Sequence, residues 1–225
     1  MKNLSVSDLP RIIDISCVKS HHRLEEIDKM IAAAKTHQFI CIFALPSFTA
    51  YLIEQLKDEP EIMVGGTVGF PSGCDTTAAK VFQAKELLNM GCDELDMVIN
   101  ISQLKSQNDE FVFRDIKAVT DVAEGKPVKA ILEVTLLTDE EIVRASKIAM
   151  EAGVSFIKTS TGWLPEPTTV RHIKLIKAAI QNKTKIKAAG GIRDLSILLE
   201  MMEAGCSRFG IGLSSAIKIM EKARG

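Results

Sequence analysis

Short apolar runs alternate with longer amphipathic segments along the chain. The runs that predict strands are RIIDIS, FICIFAL, IMVGGTVGF, ELDMVIN, VKAILEVT, SFIKTST, KIKAAGG and RFGIG, and a helical segment follows each of them. Strands that alternate with helices form parallel sheets. Eight such units in a chain of this length predict an α/β fold, a single (β/α)8 barrel domain over residues 1–225. An open doubly wound sheet has the same rhythm and stays open as the alternative.

Local signals place several helix ends. The phrases LLNMGCDELD, AMEAGVSFIK and MMEAGCSRFG each run from a helix end through a glycine into a strand. Glycine accepts the left-handed conformation that closes a helix, and the predicted closing positions are Gly91, Gly153 and Gly205. Thr138 with Glu141 predicts a capping box at a helix start, and Asp194 predicts an N-cap.

Polar side chains stand near the ends of three predicted strands. ELDMVIN carries Asp96, SFIKTST carries Lys158 and KIKAAGG carries Lys187. In a barrel, polar groups at the carboxyl ends of the strands form the active site. Side chains alternate between the two faces of a strand. If both faces point inward, Lys158 and Lys187 on neighbouring strands are expected to lie close together.

Two ammonium groups in one pocket repel each other. An arrangement with this energetic cost suggests a catalytic role. A free lysine, with a pKa of about 10.4, is protonated at neutral pH. A second cation and partial desolvation lower that pKa, and the free amine can then form a Schiff base with a carbonyl. A nearby aspartate can move the proton. Either lysine alone would more readily be a surface residue. Two lysines at the ends of successive strands, followed by TSTG and AAGG, favour a catalytic role over a surface position.

Glycines follow the sixth predicted strand, end the seventh and lie within the eighth. They permit close approach of the backbone to a ligand, and free amides at helix starts bind phosphate. The predicted phosphate-binding positions are Gly162, Gly190, Gly191, Gly210 and Gly212. The alternative is that these glycines only form tight turns. GIGLSS also resembles part of a dinucleotide-binding loop, but it lacks the third glycine.

Net charge and composition indicate which kinds of binding partner and which location to expect. A net charge of -1 gives no electrostatic reason to expect nucleic acid or an anionic membrane surface, although a local pocket can be basic. No stretch approaches the roughly 20 apolar residues of a membrane span, and MKNLSVSDLP lacks a signal-peptide core. Five scattered cysteines without a CxxC pair predict a reducing, cytoplasmic location. The four histidines are adjacent or isolated, so no metal site is predicted.

The segments ELDMVINI, EVTLLTDEEIVRA, AGVSFIKTSTGW and KAAGGIRD resemble the deoxyribose-phosphate aldolases, class I aldolases with a (β/α)8 fold. The resemblance implies reversible cleavage of 2-deoxy-D-ribose 5-phosphate to D-glyceraldehyde 3-phosphate and acetaldehyde, without a cofactor. It implies that Lys158 forms the Schiff base, that Lys187 perturbs it and that Asp96 donates and accepts the proton. Asp14, in DISCVKS, is implied to bind a substrate hydroxyl. A homodimer is common in the family.

The chain departs from the family pattern around the phosphate site. The family usually has paired serines after the last strand, where this chain has Gly212 and Leu213, with Ser214 and Ser215 following. Glu166, in WLPEPTT, adds a negative charge to a loop that the family often makes rich in glycine. These differences leave the predicted catalytic residues unchanged and predict weaker recognition of phosphate.

Two other functions remain open from the sequence. One is a Schiff-base aldolase of the same fold with a different or unphosphorylated aldehyde substrate. The other is a non-catalytic sugar-phosphate-binding protein. The second is disfavoured because a binding protein has no need of an activated amine.

Overall fold

A computed structural model describes residues 5–224 and shows eight parallel strands that close into a barrel. The strands are β1 Ile13–Cys17, β2 Cys41–Ala44, β3 Met63–Val68, β4 Glu94–Val98, β5 Val128–Ile131, β6 Phe156–Lys158, β7 Lys185–Ala189 and β8 Arg208–Gly212. Each strand pairs with the next, and β8 pairs with β1, where Asp14 lies opposite Gly210. This pairing confirms the (β/α)8 barrel and makes the open doubly wound sheet wrong.

Nine α-helices are present in the described residues. They are α1 Leu24–His37, α2 Thr49–Leu56, α3 Thr77–Met90, α4 Ile101–Lys105, α5 Asp109–Val122, α6 Asp139–Glu151, α7 Val170–Ile180, α8 Leu195–Glu203 and α9 Leu213–Arg224. None of them has both the length and the apolar character that crossing a membrane requires. The prediction of one domain includes residues 1–4 and 225, which lie outside the described residues.

The helix ends follow their local sequence signals. The main-chain N–H of Glu141 donates to Thr138 Oγ1 at 3.3 Å, and Glu141 Oε2 accepts from the Thr138 N–H at 2.9 Å, which confirms the capping box. The predicted closing glycines adopt positive φ angles of 115°, 88° and 117° at Gly91, Gly153 and Gly205. Asp194 occupies the N-cap of α8 as predicted, although its side chain makes no capping hydrogen bond.

Most strands are shorter than their apolar runs predict. VKAILEVT, for example, is strand only as far as Ile131, and Val134–Leu136 form a short 3-10 turn. Between them Glu133 adopts a left-handed conformation with φ of 56°, which ends the extended segment. The residues beyond these strand ends become loops at the carboxyl end of the barrel, which is the end where a (β/α)8 fold places its chemistry.

The main apolar core lies between the barrel and the helices. Ile13 and Ile15 of β1 are fully buried in it together with Ile27 and Met30 of α1. The inside of the barrel is different, because charged side chains from several strands are fully or almost fully buried there. Burial of charge is costly unless the charges are paired, so these side chains must satisfy one another.

Candidate active site

Lys158, Lys187 and Asp96 meet inside the barrel. Lys158, the last residue of β6, lies directly opposite Lys187 of β7. Lys158 Nζ donates to Asp96 Oδ2 at 2.7 Å, and Lys187 Nζ donates to the same oxygen at 2.6 Å. The structure therefore brings together the three side chains that the sequence selected, with one carboxylate oxygen shared by both ammonium groups.

Asp14 of β1 joins the same cluster from the opposite side of Lys187. Its Oδ2 lies 2.6 Å from Lys187 Nζ, an ion contact without hydrogen-bond direction. Its Oδ1 accepts a hydrogen bond from Arg208 Nε at the start of β8. Asp14 is thus held by two cations, and Lys187 is held between two aspartates.

Glu94 and Lys129 add further ion contacts to the cluster around Asp96. Glu94 Oε1 accepts from Arg208 Nη2 at 3.1 Å and also contacts Lys129 Nζ. Lys129 Nζ lies 3.1 Å from Asp96 Oδ1, again without hydrogen-bond direction. Lys129 lies opposite Asp96 in the pairing of β5 with β4, so the register of the sheet brings these two charges together.

Burial sets the ionisation of the central pair. The Lys158 side chain is 9% exposed and Asp96 is fully buried. Burial is the largest cause that lowers the pKa of Lys158; Asp96 opposes it, the neighbouring Lys187 acts in the same direction as burial, and the resulting pKa is about 8. Burial also opposes ionisation of Asp96, but three lysines overcome this and hold its pKa well below the usual value. Near neutral pH the site therefore holds a carboxylate beside an amine that loses its proton readily.

Phe43 of β2 lies against all three ammonium groups. Its ring centre is 4.3 Å from Lys187 Nζ, 5.1 Å from Lys129 Nζ and 5.9 Å from Lys158 Nζ. An aromatic face attracts a cation, so the ring helps to hold the lysines where water is excluded. The ring takes the space beside Gly65, where an added Cβ would lie 2.1 Å from Phe43 Cζ.

A cavity of about 980 Å³ opens above this cluster. Asp14, Lys158 and Lys187 line it, whereas Asp96 lies behind the two lysines. The five glycines that the sequence selected all line it as well: Gly162, Gly190, Gly191, Gly210 and Gly212. The glycine at position 191 is required, because its φ is 76° and an added Cβ would lie 2.5 Å from Pro167 Cβ.

Three loops meet at the mouth of the cavity around Trp163. The indole Nε1 donates to the Val18 carbonyl at 2.8 Å, and Phe70 packs edge-on against the ring with centroids 6.0 Å apart. Lys19 Nζ donates to the Gly162 carbonyl at 2.9 Å and lies 5.2 Å from the centre of the indole. These contacts join the loops that follow β1, β3 and β6.

Of the residues that depart from the family pattern, some line the cavity and one does not. Leu213, Ser214 and Ser215, the first residues of α9, all line the cavity. The two serines therefore reach it although they come later in the chain than the resemblance implies. Glu166 is exposed and does not line the cavity, so its charge stands away from the residues that form the wall.

Asp14, Cys41 and Glu94 form a group of metal-ligand types within residues 5–224, with ligand atoms inside 4.8 Å of one another. Their surroundings do not suit a metal ion. Both carboxylates are already paired with cations, and burial raises the pKa of the Cys41 thiol well above its usual value. A metal ion here would lie among buried positive charges and beside a neutral thiol, which is a poor ligand.

The sequence matches the model of the DeoC/LacD family aldolases over residues 13–222. The chain belongs to this family. A deoxyribose-phosphate aldolase of Sinorhizobium medicae is 41% identical over 220 residues, which cover 98% of this chain and 89% of that relative. The fold and the family together make this chain an aldolase.

Solved structures agree with this assignment. The aldolase QR15 is 34% identical, with a TM-score of 0.88 over 99% of this chain and 96% of that chain. A deoxyribose-phosphate aldolase from Aeropyrum pernix, described as having a unique tetrameric structure, is 27% identical, with a TM-score of 0.87 over 98% of this chain and 93% of that chain.

Sequence reasoning missed four residues of this family member that complete the site: Phe43, Glu94, Lys129 and Arg208. A usable signal exists for two of them. Glu94 is two residues before Asp96, so both lie on one face of β4, and Lys129 interrupts an otherwise apolar strand. Arg208 and Phe43 carry no comparable local signal.

Proposed function

We propose that this chain is a deoxyribose-phosphate aldolase that cleaves 2-deoxy-D-ribose 5-phosphate through a Schiff base on Lys158. The observation that carries the proposal is the pair of ammonium groups on one buried aspartate oxygen, Lys158 with its pKa lowered to about 8. A lysine that loses its proton near neutral pH at the floor of a cavity is suited to attack a carbonyl. The name of the 41%-identical relative agrees with this activity.

The first step is formation of the imine. The free amine of Lys158 attacks the aldehyde carbon of the open-chain sugar, and the carbinolamine loses water to give a protonated imine. Asp96 Oδ2, which lies 2.7 Å from Lys158 Nζ, is placed to take the proton that the attacking nitrogen releases. Lys187 Nζ lies 2.6 Å from the same oxygen and stabilises the carboxylate form.

The second step breaks the bond between C2 and C3 of the sugar. The C3 hydroxyl loses its proton, C3 becomes the aldehyde of glyceraldehyde 3-phosphate, and the bonding electrons move towards the imine nitrogen as an enamine. Protonation of the enamine carbon and addition of water then release acetaldehyde and restore the amine of Lys158. We assign the proton transfers to Asp96, and we assign Asp14, which lines the cavity, to a substrate hydroxyl.

The far wall of the cavity supports a phosphorylated substrate. Gly162, Gly190 and Gly191 line the cavity, and α9 begins at its wall with Leu213 and Ser214. Amides at a helix start and hydroxyl groups both donate to phosphate oxygens. We therefore assign the five cavity-lining glycines to phosphate binding.

A second candidate is a Schiff-base aldolase with an unphosphorylated or different aldehyde. Its supporting observation is Leu213, an apolar side chain on the cavity wall where the family usually has a serine. The cytoplasmic location and the homodimer also stay predictions. The structural relative from Aeropyrum pernix is described as a tetramer, so assembly differs from one relative to another.

Borohydride reduction with 2-deoxyribose 5-phosphate is expected to attach the substrate carbon irreversibly to Lys158, because reduction converts the imine into a stable secondary amine. Peptide mass spectrometry after digestion locates the label. Free 2-deoxyribose in a parallel reaction measures how much the phosphate contributes, and weaker recognition of phosphate predicts a small difference. A label on Lys187 instead would reverse the roles of the two lysines, and no label would contradict Schiff-base catalysis.

Lys187→Leu is expected to move the active pH range upward by roughly one to two pH units. The amine of Lys158 acts only when deprotonated, so activity rises as pH passes through its pKa of about 8. Loss of the neighbouring cation raises that pKa towards the ordinary lysine value. The profile of kcat/KM between about pH 6 and 11 measures the shift. A profile that coincides with that of the unchanged enzyme would show that Lys187 does not influence Lys158.

A further inference from the structure

The buried charges inside the barrel form a closed ring of alternating sign. Each member contacts the next, and the last contacts the first; the order is Asp14, Lys187, Asp96, Lys129, Glu94 and Arg208. Three carboxylates alternate with three cations, so the ring as a whole is neutral. Lys158 is not a member, because its ammonium group contacts only Asp96 among the ring residues.

Lys158 is therefore a seventh charge added to a neutral ring. The ring and Lys158 together hold four cations and three carboxylates, all buried. An excess buried charge is unfavourable, and the group that can lose it most readily gives up its proton. Among the four cations Lys158 is the one with a single carboxylate contact, whereas the other three each contact two carboxylates.

We propose that Glu94 and Arg208 are positioning residues whose opposite charges balance this ring and thereby set how readily Lys158 loses its proton. Neither of them lines the cavity, so they act through the ring and not on the substrate. The inference deepens the proposed function, since it concerns the amine that the proposed reaction uses as nucleophile.

The other titratable groups near Lys158 do not alter the expected directions. They come from the strands and loops around it: Cys41 on β2, Glu133 after β5 and Lys19 after β1. Cys41 stays a neutral thiol because burial raises its pKa. Glu133 is bonded to Thr161, and Lys19 donates to Gly162. Glu133 and Lys19 are unchanged in the variants below, and burial, the largest cause of the raised Cys41 pKa, is unchanged as well.

The test uses substitutions that change the charge of the ring in opposite directions. Glu94→Gln removes a negative charge, and the midpoint of Lys158 titration is expected to fall by roughly one pH unit. Arg208→Met removes a positive charge, and the midpoint is expected to rise by roughly the same amount. The double variant restores the balance, so its midpoint is expected to return close to that of the unchanged chain. Arg208→Lys keeps the charge and is expected to leave the midpoint in place.

The titration is read directly on Lys158. Brief acetylation with acetic anhydride over a series of pH values labels each lysine according to its free-amine fraction, and peptide mass spectrometry gives the midpoint for Lys158. The measurement needs no substrate, so it stands even if borohydride trapping fails and the proposed function is wrong. Glu54→Gln, an exposed carboxylate on α2, is the matched control and is expected to shift nothing.

The proposal is supported if the midpoint of Lys158 shifts in opposite directions in the two single variants and recovers in the double variant. Shifts in the same direction, or no shift, overturn it, because a purely structural role would not produce a sign that follows the charge removed. Arg208→Met leaves two buried carboxylates without their shared cation and is the variant most prone to unfolding, which circular dichroism reveals. In that event Glu94→Gln decides, since a midpoint that stays or rises contradicts the proposal.

Discussion

Lys158→Ala is expected to lower the rate of aldol cleavage by on the order of 10⁴- to 10⁶-fold, the scale of loss when a catalytic nucleophile is removed. Without the amine no imine forms, and the electrons of the breaking carbon–carbon bond have no acceptor. Steady-state kinetics with 2-deoxyribose 5-phosphate measures the loss. Borohydride should then leave no substrate-dependent label on residue 158.

The fold of Lys158→Ala should survive, because the substitution removes the excess cation and leaves the ring of six charges paired. Thermal unfolding is expected to show a midpoint close to that of the unchanged chain. Lys185→Ala is the matched control, since Lys185 is an exposed lysine on β7. It should keep full activity. A Lys158→Ala protein that is folded and still active would remove Lys158 from the mechanism.

Asp96→Asn is expected to slow turnover by roughly 10²–10⁴-fold while still allowing the imine to form. The amide cannot accept a proton as the carboxylate does, but Lys158 keeps its nitrogen and its place beside the cavity. Borohydride trapping should therefore persist although steady-state turnover falls. This combination separates the proton-transfer step from the formation of the covalent bond.

Stability must be measured alongside, because Asp96 contacts three lysines. Breaking a buried ion pair by removing one partner costs about 3–5 kcal/mol, so a lower free energy of unfolding is expected for Asp96→Asn. Asp93→Asn, an exposed position just before β4, serves as the control for an aspartate change at this strand. Turnover at the original rate in folded Asp96→Asn would assign proton transfer to another group.

The strand-end lysines and Asp96 could be predicted because their placement depends on local geometry. The alternation of side chains along a strand is independent of the rest of the fold, and it predicts that Lys158 and Lys187 lie close together if their faces point inward. The pairing of consecutive strands then makes β6 and β7 neighbours. The family resemblance added roles for these residues, which the kinetic and trapping experiments test.

The ring could not be predicted because its contacts depend on register and on distant partners. Arg208 reaches Glu94 from a position 114 residues away in the chain, and only barrel closure brings them together. The early end of the fifth strand has a similar cause. Glu133 adopts a left-handed conformation, and its carboxylate accepts a hydrogen bond from Thr161 in the next loop. No residue of VKAILEVT predicts that partner.

The position of Trp163 allows binding at the mouth of the cavity to be followed by fluorescence. It is the single tryptophan in the chain, and its ring lies between Lys19 and Phe70 on the cavity wall. Indole emission responds to nearby charge and to exclusion of water. The tryptophan fluorescence of the unmodified protein therefore comes from the mouth of the cavity, and a titration followed at the indole emission reports binding there without a label, a coupled enzyme or turnover.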